Sequence, residues 1–245
     1  MSRPVLRVLT FNIQLAAVTA SYPQMLTGAW RHILPFRQMR RNLQRIADLA
    51  AEHDLVALQE ADAGSLRSGF LNQVQWLAQA AGFEHWSLGL NRDLAPFARH
   101  SLGLLSRLPI LSADYLRLPG RIPGRGAIEA RVDWHGTPVS VVVTHLALGR
   151  RTQIQQLSLL ASRLPPGPAL LMGDFNCETA WLEQHPQLRQ AGLQWAAATP
   201  CTYPRWQPRR AIDHVLVAGG LQLRRVQVPL LAVSDHCPLS AEVAN

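Results

Sequence analysis

Two short pieces in the second half of the chain carry residue types suited to hydrolytic chemistry: Gly173-Asp174-Phe175-Asn176, and Ser234-Asp235-His236 near the C-terminus. Each follows an apolar run that reads as a strand, Ala169-Leu170-Leu171-Met172 and Leu230-Leu231-Ala232-Val233. A strand buries its apolar body in a sheet and delivers the next polar residues to the rim. Two carboxylates, a carboxamide and an imidazole at one rim could hold a hard divalent cation and activate water. A lone Gly-Asp turn is too common to carry that reading. The order of the further pieces carries it.

Those pieces fall in sequence. Val8-Leu9-Thr10-Phe11-Asn12 is a strand ending in Asn12, and Leu55-Val56-Ala57-Leu58-Gln59-Glu60 is a strand ending in Glu60. Val141 to Leu146 presents His145 at its end, and Ile212 to Val217 carries Asp213 near its start. In this order, from about Val5 to Val243, the motifs resemble the endonuclease/exonuclease/phosphatase (DNase I-like) superfamily. It includes DNase I, abasic-site endonucleases, deadenylases, neutral sphingomyelinases and inositol polyphosphate 5-phosphatases.

The resemblance implies roles for individual residues. Glu60 matches the carboxylate that binds the divalent metal, with Asn12 supporting the metal or a nearby phosphate and Asp235 resembling the metal-linked acid. A carboxylate ending a buried strand would be costly without a cation or donor beside it. Asp174 orients or deprotonates the attacking water, and Asn176 hydrogen-bonds a phosphate oxygen. The two sit two apart in what reads as an extended segment, hence on one side. His236 is the site imidazole, general base or phosphate donor, and Asp213 pairs with a site histidine to set its basicity. His214 alternates to the opposite side and reads as structural. His145 resembles the general acid or phosphate ligand of the DNase-like and sphingomyelinase-like branches. Arg125-Gly126-Ala127 resembles an Arg-Gly-Ala element of several branches, with Arg125 as phosphate clamp. The longer signature of abasic-site endonucleases is missing after Asn12, where Ile13-Gln14-Leu15-Ala16 follows. The hard oxygen ligands imply Mg²⁺, with Mn²⁺ as a substitute.

Composition bounds the partners. The formal net charge is +8, and all 24 basic residues are Arg. Guanidinium forks suit bidentate phosphate contacts, so a polyanionic partner is expected: nucleic acid or an anionic lipid surface. No obligate protein partner is evident and a monomer is expected. No apolar run is long enough for a membrane-spanning helix. The first strand begins by residue 5, which leaves no room for a signal peptide and suggests a cytoplasmic enzyme. Three cysteines, Cys177, Cys201 and Cys237, match no zinc spacing.

These residues need elements to position them. Strands are expected over Val5–Ile13, Asp54–Gln59, His85–Leu88, Leu102–Ser106, Ile110–Leu116, Ala127–Asp133, Val139–Thr144, Ala169–Met172, Ala211–Ala218, Leu221–Val228 and Leu239–Val243, with helices over Arg37–Ala51, Ser68–Ala81 and Arg151–Arg163. This is an α+β pattern in one domain, 1–245. The resemblance sharpens it to a four-layer α/β/β/α sandwich with the site at one rim.

Three loops should choose the substrate: Ser21–Arg37, Leu90–His100 and Thr199–Arg210. The last holds Arg205, Trp206, Arg209 and Arg210 just before Asp213. Aromatics among arginines suit the bases and phosphates of a nucleic acid, and nearly as well an anionic membrane. The expected activity is a Mg²⁺-dependent phosphodiester hydrolase. A nuclease on DNA or RNA ranks first and a phospholipid or small-molecule phosphodiesterase, sphingomyelinase-like or GPI-lipid-related, second. A non-catalytic phosphate- or membrane-binding module ranks third. The nearest resemblance is to bacterial members sharing Thr144-His145-Leu146, the Gln-rich helix after it and Thr202-Tyr203-Pro204.

Overall fold

Alternation along the first strand sets the layering. In β1 (Val5–Asn12), Leu6 and Val8 point into one apolar cluster while Leu9 and Phe11 point into another, as the two-residue pleat requires. A strand buried on both faces needs a layer on each side. The computed structural model describes residues 5–16, 36–121, 123–196 and 198–245. The expected substrate loop Ser21–Arg37, with Tyr22, Trp30, Arg31 and His32, lies outside the described residues up to position 35.

The other elements are α1 (Phe36–Ala50), β2 (Leu55–Asp62), α2 (Gln73–Ala80), β3 (His85–Leu94), β4 (Ala98–Ser106), β5 (Ile110–Arg117), β6 (Gly126–Trp134), β7 (Thr137–His145), α3 (Arg150–Arg163), β8 (Ala169–Asp174), α4 (Thr179–Leu182), α5 (Pro186–Gln190), β9 (Asp213–Ala218), β10 (Gln222–Gln227) and β11 (Leu239–Ala244). They form a six-stranded sheet, β10-β11-β1-β2-β4-β3, and a five-stranded sheet, β5-β6-β7-β8-β9. Between them lie Val8, Leu55, Ala57 and Leu104 from the first sheet against Ile128, Val141, Val143 and Met172 from the second. Met39, Leu43 and Ile46 of α1 and Val74 and Leu77 of α2 cover the outer face of the first sheet. Leu157 and Leu160 of α3, with Leu182 and Leu188, cover that of the second. The result is an α+β sandwich of four layers, α/β/β/α, as expected. No helix among the described residues is long and apolar enough to cross a membrane.

Three expectations need correcting. Leu230–Val233 is not a strand: Leu230 is fully exposed, at 101%, in the connection between β10 and β11. The helix expected over Ser68–Ala81 starts only at Gln73, where the Asn72 side chain accepts from Gln75 N. Before it, a short 3-10 turn, Leu66–Ser68, ends on Gly69 in the left-handed conformation. The expected loop Leu90–His100 is mostly the twisted end of the β3–β4 hairpin, closed by Phe97 N donating to Leu94 O.

Candidate active site

Strand register aligns the polar residues of the second sheet in one row. Gly126 on β6 pairs with His145 on β7, His145 with Asp174 on β8, and Asp174 with Asp213 on β9. The approach of β7 to β8 needs Gly173, since a Cβ there would collide with the Thr144 carbonyl. Arg125 enters the row from the residue before Gly126. From the first sheet, Asn12 reaches across, its Nδ2 donating to Asp174 Oδ2 at 3.1 Å.

His236 is held at this row by a carboxylate. Its Nδ1 donates to Asp213 Oδ2 at 2.8 Å, and its Nε2 lies 3.7 Å from Asp174 Oδ2. The Thr202 hydroxyl also donates to Asp213 Oδ2, and the Tyr203 ring lies 4.9 Å from the imidazole. Burial alone would lower the His236 pKa, but Asp213 and Asp174 outweigh it and raise it to about 10. Burial lifts the Asp174 carboxyl to about 7, with His236 pulling it down and Asp213 pushing it up. A proton is thus held between a buried imidazole and carboxylates on both sides of it.

His145 is arranged differently. Its Nε2 accepts from Arg125 Nη1 and lies 3.3 Å from Asp174 Oδ2 and 4.0 Å from Glu60 Oε1. Burial, then the charges of Arg125 and His236, push its pKa well below the usual histidine range. An acceptor Nε2 with a depressed pKa is a neutral imidazole carrying its hydrogen on Nδ1, a tautomer assigned from this network. A neutral ring that accepts from Arg125 positions the guanidinium; it has no Nε2 proton to give as a general acid. Arg125, His145 and Glu60, with Arg92 and His100 of the β3–β4 hairpin, line an open cleft of about 250 Å³.

Two groups of donors could hold a cation. Ligand atoms of Asp174, Asp213 and His236 lie within 4.8 Å of one another. That set is already linked by the His236–Asp213 bond, and Asp213 is sealed from solvent. Glu60, 38% exposed, faces the cleft. Asp235 lies close enough that, after burial, the Glu60 charge helps raise its pKa against the opposing effect of His236. Glu60 and Asp235 are two repelling carboxylates of the kind a divalent cation would relieve, and Asn12 pairs in register with Gln59 beside them, its Oδ1 already accepting from Gln14 N at 3.1 Å. We therefore favour the Glu60 side of the site over the sealed triad.

Several details differ from the sequence reading. Glu60 does not end its strand: it sits in a left-handed bulge (φ 55), after which β2 continues to Asp62. Its half-open carboxylate therefore needs no burial argument. Asn176 is not in an extended segment either, but in a left-handed turn (φ 53) whose N–H donates to Asp174 Oδ1 at 2.9 Å. Its Nδ2 donates one hydrogen to the Leu146 carbonyl at 3.0 Å, which leaves the other for a ligand. His214 faces away from the row, with Nε2 2.8 Å from the Cys177 carbonyl and its ring edge-on to Phe175. Burial pushes the Cys177 and Cys237 thiols up to about 12 and about 11, far from thiolate chemistry.

The basic loop before β9 is only partly available. Arg205 N donates to Asp235 O and Arg205 Nε to Ser234 O, so Arg205 braces the segment carrying Asp235 and His236. Arg210 pairs with Glu178 at 3.4 Å. Arg209 is exposed and Trp206 half-buried. The sequence reading missed three supports: Thr202 on Asp213, Ser234 donating to the Asn12 carbonyl, and Gln14 accepting from Asp235 N. Thr202 and Ser234 stand inside the Thr202-Tyr203-Pro204 and Ser234-Asp235-His236 pieces, but their roles depend on which strands become neighbours. Gln14 carries no such signal.

With this geometry in place, comparison with known proteins is informative. The sequence profile of the Endonuclease/Exonuclease/phosphatase family matches residues 9–236. A UPF0294 protein of Vibrio vulnificus is 30% identical over 220 residues, covering 83% of this chain and 72% of its own length. The structure of an endonuclease/exonuclease/phosphatase from Beutenbergia cavernae superposes with a TM-score of 0.77 at 22% identity, over 99% of this chain and 72% of that one. Sphingomyelinase C from Streptomyces griseocarneus superposes with a TM-score of 0.64 at 19% identity, over 99% and 100%. At these identities the two structures speak for the fold.

Proposed function

The chain belongs to the endonuclease/exonuclease/phosphatase family, and we propose that it is a divalent-cation-dependent phosphodiesterase using Mg²⁺, with Mn²⁺ as a substitute. Members of the family are phosphoester hydrolases. The observation that carries the reading is the row Arg125–His145–Asp174–Asp213, with His236 bonded to its last member and Glu60 facing the adjoining cleft.

A phosphodiester resists attack because its oxygens are anionic. A divalent cation held by Glu60 with Asn12 and Asp235 would neutralise one phosphoryl oxygen. The Arg125 guanidinium, oriented by neutral His145, offers donors to another. Asp174, with a proton affinity near neutrality, takes a proton from water placed beside it. His236, kept charged by Asp213, presents its Nε2 proton to the developing oxyanion. The remaining Nδ2 hydrogen of Asn176 is a further donor at the same rim.

The sequence ranks nucleic acid above lipid; our own ordering places lipid first, on the apolar surface beside the cleft. Of the four groups expected to grip a nucleic acid, Arg205 is committed to the Ser234 carbonyl, while Arg210 forms only an exposed ion pair with Glu178, which leaves it open to a phosphate. An exposed apolar edge adjoins the cleft instead, formed by Leu66, Phe70, Leu94 and Phe97. A phospholipid diester is therefore the favoured substrate class. Exposed Arg209 keeps nucleic acid as the second reading. A panel of DNA, RNA, phospholipid vesicles, an aryl phosphodiester and phosphomonoesters, each with Mg²⁺ and Mn²⁺, tests this. Turnover of phospholipid and of the aryl diester is expected. Cleavage of monoesters alone would remove the diesterase reading, and no turnover at all would leave a binding module.

A further inference from the structure

We infer that the protein docks on an anionic lipid bilayer through the edge formed by Leu66, Phe70, Leu94 and Phe97, which brings the catalytic cleft to headgroup level. This rests on the phosphodiesterase reading above and adds to it how the enzyme meets its substrate.

The four side chains are 51, 66, 43 and 68% exposed, respectively. Backbone bonds tie them into one surface. Phe97 N donates to Leu94 O at the hairpin tip, Leu66 N to Pro96 O between the hairpin and the 3-10 turn, and Phe70 N to Ser65 O within the turn. Phe70 holds a left-handed backbone (φ 62), which is unfavourable for a bulky residue, yet it projects its ring into solvent. The platform beneath is rigid. Asp62, fully buried, accepts from Gly64 N, Ser65 N, Ser65 Oγ, Ser68 Oγ, Arg67 Nε and Arg99 N. One carboxylate thus clamps the 3-10 turn to β4.

The same hairpin forms a wall of the cleft. Arg92 and His100 line the cleft with Glu60, Arg125 and His145, and Leu94 and Phe97 lie two and three residues further out. Whatever meets the apolar edge therefore stands beside the cleft mouth.

The occupant follows from shape, area and charge. Four protruding side chains expose on the order of a few hundred Å², well short of the roughly 800 Å² per partner of a stable protein interface. They are the tips of two adjacent turns and form no groove. Apolar tips with arginine behind them suit the interface of an anionic membrane, where the rings enter the acyl boundary and the guanidiniums meet phosphates. Exposed Arg92, on the same hairpin two residues before Leu94, stands behind the edge, and the whole chain carries +8.

The test is flotation of the full chain with vesicles of phosphatidylcholine alone or with about one third phosphatidylglycerol. The wild type should float with the anionic vesicles and much less with the neutral ones. Phe70→Ser and Phe97→Ser should each cut partitioning roughly tenfold or more, the scale of one large apolar side chain kept in water. The double variant should keep its melting temperature and its turnover of a soluble aryl diester. Equal flotation of parent and double variant, or no flotation of the parent, overturns the proposal. So does a parent dimer in sedimentation that the double variant converts to monomer, which would make the edge a contact between copies. Loss of aryl-diester turnover in the parent would defeat the phosphodiesterase reading instead, while flotation is scored independently of it.

Discussion

His236 Nδ1 lies 2.8 Å from Asp213 Oδ2, although 23 residues separate the two: Asp213 opens β9 and His236 sits in the connection between β10 and β11. That bond orients the ring and aims Nε2 at Asp174, and the Asp213 and Asp174 charges together keep the ring protonated.

A dyad of this kind acts as one unit. His236→Ala and Asp213→Asn should each lower kcat on an aryl phosphodiester by roughly 10²-fold or more, the scale of a positioned acid–base group. The double variant should be little worse than the worse single one, because the second change removes a group whose partner is already gone. Fully multiplicative losses in the double variant would show that the two act separately.

Glu60 faces the cleft from a left-handed bulge, with the Asp235 carboxylate near enough to feel its charge. Removing one hard anionic donor weakens a cation more than it weakens the fold. Glu60→Gln should retain the parent melting temperature, lose activity at low Mg²⁺ and recover part of it only at much higher Mg²⁺. Titration of rate against Mg²⁺ reads this directly. Undiminished turnover of the parent in excess chelator would end the metal-dependent reading.

The two remaining buried histidines of this sheet should separate cleanly. His145 accepts from Arg125, so His145→Ala should lower kcat about as much as Arg125→Ala, and the pair should not be additive. His145→Gln, which can keep an acceptor near the guanidinium, should retain more activity than the alanine variant. His214 bonds the Cys177 carbonyl and packs on Phe175 away from the cleft. His214→Ala should cost about 1–3 kcal/mol of stability and leave turnover of the folded fraction close to that of the parent. A folded His214→Ala enzyme as inactive as His236→Ala would mean the wrong histidine was assigned.

The contrast between these histidines also marks how far the sequence could be read. Alternation placed the apolar residues of β1, β2 and β7 to β9, and the polar residues at their ends were visible as candidates. The pairing that makes Asp213 the partner of His236 depends on strand order, which local periodicity does not encode. Leu230–Val233 shows the opposite failure: four apolar residues imitate a strand, yet no neighbouring edge is paired with them and Leu230 remains in water. Glu60 and Asn176 adopt left-handed backbones that neither residue type announces. Leu90–His100 reads as a loop because Asn91, Arg92, Asp93 and Pro96 suppress the strand pattern, but an edge hairpin tolerates such residues.

Far from the cleft, His53 offers a test of stability against pH. Its Nδ1 lies 2.9 Å from the Leu49 carbonyl, which can only accept, so Nδ1 carries the hydrogen and Nε2 accepts from the Ser240 hydroxyl at 2.8 Å. Burial lowers its pKa below 6.5. The Leu49 bond and the charges of Glu52 and Asp54 oppose this only in part, while Arg7 adds to it. The unfolded chain therefore takes up this proton at a higher pH than the folded chain does. Stability from this site is complete above the ordinary histidine value, falls as pH drops below about 6.5 toward the depressed folded value, and levels off beneath it. His145 and His214, also lowered by burial, act with the same sign, so the parent curve alone does not isolate His53. His53→Gln keeps a polar, uncharged side chain at every pH. Urea unfolding of parent and variant at about pH 5, 6 and 7.5 should show the variant losing less stability on acidification. Parallel curves would show that His53 does not resist protonation in the folded protein.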